Sequence, residues 1–370
     1  MTRAMTMAMP TIRTSAPGKL FLLGEYAVLE GAPALLTAVD RRVEVTIDES
    51  PTGFWQFSAP NLGIFNLALG TDGSLPAGLS DQLRAHLRVF DEVRAAVQAA
   101  ARRAQSQARS QPQPRTQLPA QPMAARFALP LAISIDSSAL SRGGHKLGLG
   151  SSAATATALT AALARALGLT LDQGELFRLA DAAHRSSQNG AGSGGDVAAS
   201  VHGGLIRFAP GAAVVPLRWP KELCISAVVT GEGALTTRLV GRVADYAAES
   251  PVQHQADLAR MTHLAEQAEA ALASPAAFLR LASDYFDALT VLDTHVQAGI
   301  VSRRHQELNA LAARDGGVFK TSGAGGGDVG LAFSYAGEPT ERLAGAFARA
   351  GAAIVPLGFF AAGLQGGTAS

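Results

Sequence analysis

Three glycine-rich segments hold the residues of this chain that are best suited to chemistry. They lie at residues 17–26, 148–152 and 322–328. Glycine allows the backbone to approach a ligand closely and to adopt positive φ angles, and successive backbone N–H groups can then face an anion. Each segment alone is a weak indication. Their order, and the residues between them, predict one composite site for an anionic ligand.

The second segment comes directly before an alanine-rich run that ends at Gly168. Strong helix formers in that run predict a helix. The first turn of a helix offers unpaired N–H groups and the positive end of the helix dipole, which favours a di- or triphosphate. Ser151 and Ser152 add hydroxyls that bind phosphate or Mg²⁺. An ordinary glycine turn with a serine N-cap explains this segment equally well.

Two common nucleotide motifs are excluded at the second segment. A P-loop requires Gly-Lys-Ser/Thr, which does not follow here at the required spacing. The Gly-x-Gly-x-x-Gly fingerprint of dinucleotide-binding proteins fails at Ala153. A phosphate site here would therefore be of a different type.

All three segments resemble sequence motifs of one family. Residues 16–28, 146–154 and 320–328 are similar to the first, second and third motifs of the GHMP kinase superfamily. The resemblance implies an α+β protein with two domains: a ribosomal S5-like N-terminal domain and a ferredoxin-like C-terminal domain, with the active site between them. It also implies ATP and Mg²⁺ as cofactors.

Within this family the chain looks most like the phosphomevalonate kinases. Tyr26 follows Gly-Glu in the first motif, a triple glycine precedes Asp328 in the third, and Ala-His at 183–184 precedes Gly-Ser-Gly-Gly-Asp-Val at 192–197. The resemblance implies 5-phosphomevalonate as the acceptor and 5-diphosphomevalonate as the product. Val329 and His202 depart from that pattern.

Two alternatives remain open. Mevalonate or another acceptor is compatible with the fold, because the motifs report nucleotide binding better than acceptor choice. His184 and Arg185 stand where mevalonate kinases are expected to have a Mg²⁺-binding glutamate, and this difference argues against a mevalonate kinase. A non-catalytic member of the family is disfavoured because Lys19, Ser152 and Asp196 are all present.

The resemblance assigns roles to individual residues. Asp196 is expected to orient or deprotonate the acceptor, and Lys19 to pair with it and stabilise charge in the transition state. The plainer alternatives are that Asp196 only caps a helix beginning at Val197, and that Lys19 is a surface lysine.

Two binding sets follow from the resemblance. The ATP and phosphate set, with Ser152 also as the metal ligand, comprises Lys146, Gly148, Leu149, Gly150, Ser151, Ser152 and Ala153. The substrate set comprises Lys19, Glu25, Tyr26, Lys146, Arg185, Ser193, Ser322, Gly323, Ala324 and Gly325. A basic cluster for a phosphate on the acceptor is expected from Lys146, Arg185 and Lys320.

Composition excludes several classes of partner. The 370 residues include 31 basic and 30 acidic ones, for a net charge of +1, so neither nucleic acid nor an anionic membrane is an expected partner. No segment has 18 consecutive apolar residues, and Cys224 is the only cysteine, which excludes an intramolecular disulfide. We expect a cytoplasmic monomer or homodimer whose partners are small molecules.

The pattern along the chain predicts how the two domains are divided. Residues 1–10 predict a flexible leader, 11–220 the N-terminal domain and 221–370 the C-terminal domain. A glutamine- and proline-rich stretch at about 104–124 predicts a disordered insert. Periodicity predicts strands at 11–16, 20–23, 39–48, 127–136, 329–335 and 352–359. It predicts helices at 79–103, 171–187 with Thr170 as cap, and 339–351, and a helical block at 235–313 that is broken near Pro251 and Pro275.

Overall fold

Long apolar stretches near the start of the chain build the central strands of a sheet. The structure is a computed structural model, and it describes residues 9–110, 129–142, 145–230, 236–327 and 329–368. In chain order, the strands are β1 (Ile12–Leu23), β2 (Ala34–Glu49), β3 (Gln56–Ala59), β4 (Ile64–Ala68), β5 (Leu131–Asp136), β6 (Ser141–Arg142), β7 (His145–Lys146), β8 (Leu205–Phe208), β9 (Val215–Leu217), β10 (Leu223–Val229), β11 (Val318–Thr321), β12 (Val329–Tyr335), β13 (Ala353–Val355) and β14 (Gln365–Thr368).

Helices cover the sheets and supply most of the remaining core. In chain order, they are α1 (Asp81–Ser110), α2 (Ser151–Ala166), α3 (Gln173–Ser187), α4 (Gly195–His202), α5 (Thr236–Glu249), α6 (Pro251–Glu266), α7 (Ala268–Ala271), α8 (Pro275–Val296), α9 (Arg303–Arg314) and α10 (Glu338–Arg349). Mixed helices and antiparallel sheets confirm the expected α+β class.

The first sheet is built around β1 and β2. Its strand order is β14-β1-β2-β5-β3-β4, and β8 also pairs with β2 and continues to β9. The β3–β5 pair is parallel, and the other pairs in this sheet are antiparallel. Helix α2 packs on β1 and β2, with α1, α3 and α4 around it. Its alanine-rich sequence is buried on nearly all sides, because small side chains let a helix approach its neighbours closely.

A second, four-stranded antiparallel sheet follows in the order β11-β12-β10-β13. Helices α8 and α9 pack against β11, and α10 packs against β12 and β13. Trp219 lies just before this sheet and stacks among Phe278, Phe333 and Phe360. These aromatic contacts join the second sheet to α8 and to the segment that follows β13.

The final strand returns to the first sheet. Residues of β14 pair antiparallel with Ile12 to Ser15 of β1. The guanidinium of Arg42 donates to the carbonyls of Ser15, Ala362 and Gly363 and so fixes the approach to β14. The expected C-terminal domain comprises residues 221–370. In the structure, β14 lies within this range but pairs with β1 of the first sheet.

Several predicted elements have different bounds. The two strands expected at 11–16 and 20–23 are one strand, because a bulge between Pro17 and Gly18 lets pairing with β2 continue. Helix α3 is capped by Asp172 rather than Thr170, since Asp172 and Glu175 form a reciprocal capping box. The strand expected at 352–359 is confined to β13.

The predicted insert at 104–124 lies only partly within the described residues. Helix α1 extends to Ser110, so it includes the first residues of the predicted insert and ends later than the expected residue 103. Residues 111–128 lie outside the described part of the chain, as do residues 1–8 of the expected leader. Helices within 236–314 are interrupted before Pro251 and Pro275, as predicted, because proline is accepted at the first position of a helix.

Candidate active site

A lysine and an aspartate from different elements form an ion pair in a cleft. Lys19 of β1 and Asp196 of α4 lie 3.3 Å apart, Nζ to Oδ1. The lysine side chain is buried with 7% of its surface exposed, whereas the carboxylate is 31% exposed. The ammonium group also lies 4.9 Å from the centre of the Phe21 ring. The geometry rules out the surface-lysine alternative.

Asp196 does not cap its helix. Helix α4 begins at Gly195, and its N-cap is Gly194, which has a φ of 89°. Asp196 therefore lies in the first turn, two residues after the cap, and the start expected at Val197 is wrong. A carboxylate in the first turn interacts favourably with the helix dipole. Its side chain is available to the cleft because no capping bond uses it.

The second glycine segment ends at the N-terminus of α2. Gly150 is the N-cap, with a φ of 74°, and no side chain makes a capping hydrogen bond there. Ser151 and Ser152 are the first two helical residues, so the serine N-cap alternative is wrong. The first-turn N–H groups thus face the cleft without a capping side chain, which is the arrangement of an anion site.

The first and second segments are packed tightly together. The Lys19 backbone N–H donates to the Leu149 carbonyl at 2.8 Å. A Cβ placed on Gly150 would lie 2.8 Å from Cε of Lys19, and its positive φ is costly for any other residue. Glycine at this position lets the lysine stem cross the loop on its way to Asp196.

Replacing Gly150 by alanine tests this packing. We expect the free energy of unfolding to fall by about 1–2 kcal/mol from the positive φ alone, and turnover to fall by about tenfold or more because Lys19 must move. Gly211→Ala is the matched control, since Gly211 has a φ of 77° and no atom near its Cβ position. Chemical denaturation and steady-state kinetics of both variants make the comparison. Equal loss of activity in the two variants would contradict the role given to Lys19 packing.

Ser152 contacts a buried histidine. Its Oγ lies 3.0 Å from Nε2 of His184, and the side-chain amide of Gln188 lies 2.9 Å from the same nitrogen. Burial lowers the pKa of His184, although Asp196 and Asp181 oppose the shift. The neutral imidazole is therefore favoured near pH 7, and its Nε2 holds the side chains of Ser152 and Gln188 together at the cleft.

The third glycine segment lies against β1. The Ser322 hydroxyl donates to the Phe21 carbonyl and accepts from the Phe21 N–H, both at 2.9 Å. The Tyr26 hydroxyl donates to the Ala324 carbonyl at 2.6 Å. Gly326 N–H donates to the Ile300 carbonyl at 2.9 Å. These contacts hold residues 322–327 at the cleft, and Asp328 lies outside the described residues.

The basic cluster expected for an acceptor phosphate is not assembled. Lys320 is completely buried and paired with Glu25, so its assignment to that cluster is wrong. Arg185 pairs with Asp181 at 2.9 Å and donates to the Ser193 carbonyl, and it does not line the cleft. The side chain of Lys146 lies outside the described residues. Arg185 thus positions the loop around Ser193.

One cavity of about 650 Å³ joins these groups. Its polar wall comes from the three glycine segments together with His184 and the loop before α4, and its apolar wall includes Val28, Leu29 and Val240. Among the described lining residues, Lys19 is the only lysine or arginine. The predicted residues that line it are Lys19, Glu25, Tyr26, Gly148, Leu149, Gly150, Ser151, Ser152, Ser193, Asp196, Ser322, Gly323, Ala324 and Gly325.

Sequence reasoning missed several lining residues. Gln188 follows His184 by one helical turn, and this spacing was an available indication that it faces the same way. Val240 comes from α5 in the second half of the chain, and nothing in its own sequence marks it. Ala153 and Arg185 were predicted for the site and do not line the cavity.

No helix among the described residues is long and apolar enough to cross a membrane. An uncapped helix N-terminus at a cleft, beside a lysine–carboxylate pair, suits phosphoryl transfer to a small molecule, because that chemistry depends on positioning and charge stabilisation.

Comparison with known proteins identifies the family. Residues 120–204 match the GHMP kinases N terminal domain. The chain is 32% identical over 360 residues to a phosphomevalonate kinase of Streptomyces sp. (strain CL190), covering 89% of this chain and 91% of the relative. It is 30% identical over 346 residues to a mevalonate kinase of Thermococcus gammatolerans, covering 92% and 93%.

A solved structure has the same fold. Streptococcus pneumoniae phosphomevalonate kinase in complex with phosphomevalonate and AMPPNP superposes with a TM-score of 0.72 at 21% identity, covering 95% of this chain and all of that one. The chain belongs to the GHMP kinase family and is a phosphotransferase. The expected resemblance is thereby confirmed, and relatives with two different acceptors match it.

Proposed function

We propose that this protein transfers the γ-phosphoryl group of ATP to 5-phosphomevalonate, giving 5-diphosphomevalonate. The observation that carries the proposal is the Lys19–Asp196 ion pair beside the uncapped N-terminus of α2, within one cavity. Phosphoryl transfer requires little covalent chemistry from the protein and depends on positioning and charge stabilisation. Both requirements are met by these groups.

The nucleotide phosphates are assigned to the second glycine segment. Backbone N–H groups of the first turn of α2, with the hydroxyls of Ser151 and Ser152, would hold them. Lys19 would stabilise the charge that spreads over the transferred group, because an ammonium in a water-poor cleft interacts strongly with it. Asp196 would keep that ammonium in place and orient the acceptor.

The acceptor's own ionisation fits this role for Asp196. A phosphate monoester has a second pKa of about 6 and is largely dianionic at pH 7.5. Its oxygen therefore attacks without first losing a proton to the protein. An alcohol acceptor such as mevalonate remains protonated at that pH and requires a general base. With 5-phosphomevalonate as the acceptor, Asp196 would mainly orient the acceptor. With mevalonate as the acceptor, it would act as a general base.

Mg²⁺ fits the oxygen donors of this site. Ser152 Oγ would hold it together with nucleotide phosphates and water, which is the usual environment of Mg²⁺ in kinases. The described residues contain no group of three or more His, Cys, Asp or Glu side chains that would cage a metal without a substrate. When bound, the metal neutralises phosphate charge. The contact with His184 would fix the Ser152 side chain where its oxygen can reach the metal.

The acceptor phosphate is assigned to the third glycine segment. Lys19 is the only described lysine or arginine at the cavity, so backbone N–H groups of residues 322–325 would bind this phosphate, with Lys146 as a further candidate. The apolar wall of Val28, Leu29 and Val240 would contact the hydrocarbon part of the acceptor.

The acceptor assignment is tested by an ADP-release assay with Mg·ATP. We expect turnover with 5-phosphomevalonate and less than about a hundredth of that rate with mevalonate, because a group that positions a phosphate discriminates strongly against its absence. If mevalonate were turned over and 5-phosphomevalonate were not, the proposed acceptor would be wrong, but the protein would still be a phosphotransferase. An Asp196→Asn variant assayed in parallel identifies activity from a contaminating kinase.

A further inference from the structure

The backbone is strained where the first glycine segment ends. Tyr26 has a φ of 60° and a ψ of −51°, and the Ala27 N–H donates to the Glu25 carbonyl at 2.7 Å. A hydrogen bond across one residue with these angles is a γ-turn of the rare positive-φ type. For a bulky side chain this conformation is unfavourable and persists only where surrounding contacts determine it.

Contacts with the third glycine segment hold the turn in this conformation. The Tyr26 hydroxyl donates to the Ala324 carbonyl, and the Glu25 carboxylate pairs with Lys320. Together with the double hydrogen bond between Phe21 and Ser322, these contacts form what we call the β1–loop junction. The junction joins residues that are far apart in sequence, at the wall of the cavity assigned to the acceptor.

Lys320 is an unusual member of the junction. Its side chain is fully buried, and its ammonium donates to Glu25 Oε1 and to the Thr321 carbonyl. The ring centre of Tyr285 lies 5.9 Å away, and the Tyr285 hydroxyl donates to the Glu25 carbonyl at 2.8 Å. Burial lowers the pKa of Lys320, and the carboxylate of Glu25 opposes this shift. A buried charged pair is costly to form and therefore weak evidence for stability alone.

We propose that Tyr26 and the Glu25–Lys320 pair are positioning residues, which fix the third glycine segment in the conformation that binds the acceptor. The effect on acceptor binding rests on the function proposed above. The nucleotide phosphates are assigned to the N-terminus of α2, which none of these side chains contacts. Loss of the junction therefore changes acceptor binding selectively.

Tyr26→Phe removes the hydroxyl and keeps the ring. We expect the KM for 5-phosphomevalonate to rise about tenfold, as for a lost hydrogen bond that leaves a carbonyl unpaired, with kcat within about threefold and unchanged binding of ATP measured directly. Tyr246→Phe is the matched control, because it removes another buried hydroxyl, which is bonded to Asp257 and does not line the cavity.

Hydrogen exchange of the substrate-free protein tests the junction independently of the acceptor. Backbone amides of residues 322–327 should exchange faster in Tyr26→Phe than in the wild-type protein, and at the wild-type rate in Tyr246→Phe. Unchanged exchange of these amides would overturn the proposal. If 5-phosphomevalonate is not turned over by the wild-type protein, the proposed acceptor fails while the exchange result still decides the junction.

A double variant separates positioning from stability. Lys320→Met alone leaves a buried carboxylate without its partner and should lower the melting temperature, whereas adding Glu25→Gln removes the unpaired charge and should recover much of it. We expect the double variant to be folded and yet to have, like Tyr26→Phe, a raised KM for 5-phosphomevalonate and fast exchange of the amides of residues 322–327. Recovery of stability, KM and exchange together would show that the pair is structural only and overturn the proposal for it.

Discussion

Replacing Asp196 by asparagine is expected to lower the turnover number with 5-phosphomevalonate about a hundredfold while leaving the affinity for ATP within about threefold. The variant keeps the shape of the side chain but removes the charge that holds the Lys19 ammonium at 3.3 Å. The nucleotide is assigned to the N-terminus of α2, which does not depend on this charge. Steady-state kinetics and direct titration with ATP measure the two effects.

The pH dependence of this loss tests the role of Asp196. The acceptor phosphate is already ionised above its second pKa of about 6, so the loss should be nearly constant from pH 7 to 9. A loss that shrinks as the pH rises would instead indicate a general base and favour an alcohol acceptor. Asp315→Asn is the matched control, because Asp315 pairs with Arg342 outside the cavity. Near-normal turnover of Asp196→Asn would remove this residue from the mechanism.

Lys19→Met is expected to lower kcat/KM for phosphoryl transfer about a thousandfold. Methionine retains most of the apolar stem that packs over Gly150 and replaces the ammonium that faces Asp196 and the ring of Phe21. The change removes the only lysine or arginine among the described residues that line the cavity. Charge in the transition state would then be stabilised by backbone N–H groups and the metal alone.

A matched lysine distinguishes this effect from a general loss of charge. Lys221 is exposed and lies at the start of the second sheet, so Lys221→Met should leave kcat/KM unchanged. Circular dichroism and thermal unfolding of both variants establish that they are folded. A loss below about tenfold in Lys19→Met would contradict a direct role in the transition state.

The chemistry of single segments could be predicted from the sequence, and contacts between distant segments could not. The alanine-rich run after Ser152 predicts helix α2 and its anion site because helix propensity is local. The pairing of Lys320 with Glu25 depends on how β11 meets β1, and no local pattern distinguishes a buried lysine from one that binds substrate. The sequence motif therefore predicts that Lys320 binds substrate, whereas the structure buries it against Glu25.

Local backbone geometry limits prediction in the same way. Because aspartate is a common N-cap, the sequence predicts that α4 begins at Val197. Gly194 takes that position instead, since its positive φ turns the chain beside Asp181 and Arg185. Similarly, Pro17 and Gly18 indicated a break between two strands, whereas the structure accommodates them in one strand through a bulge. Neighbours in space decide such cases.

The return of β14 to the edge of β1 has a consequence for biosynthesis. When the ribosome has made the first sheet's other strands, the outer edge of β1 still exposes unpaired backbone groups from Ile12 to Ser15, because their partners are translated almost a full chain length later. Unpaired edges promote association between chains. Until synthesis is complete, this edge of a nascent chain is open to pairing with a strand of another chain. A truncation after residue 364 would remove β14 and extend that exposure into the finished protein.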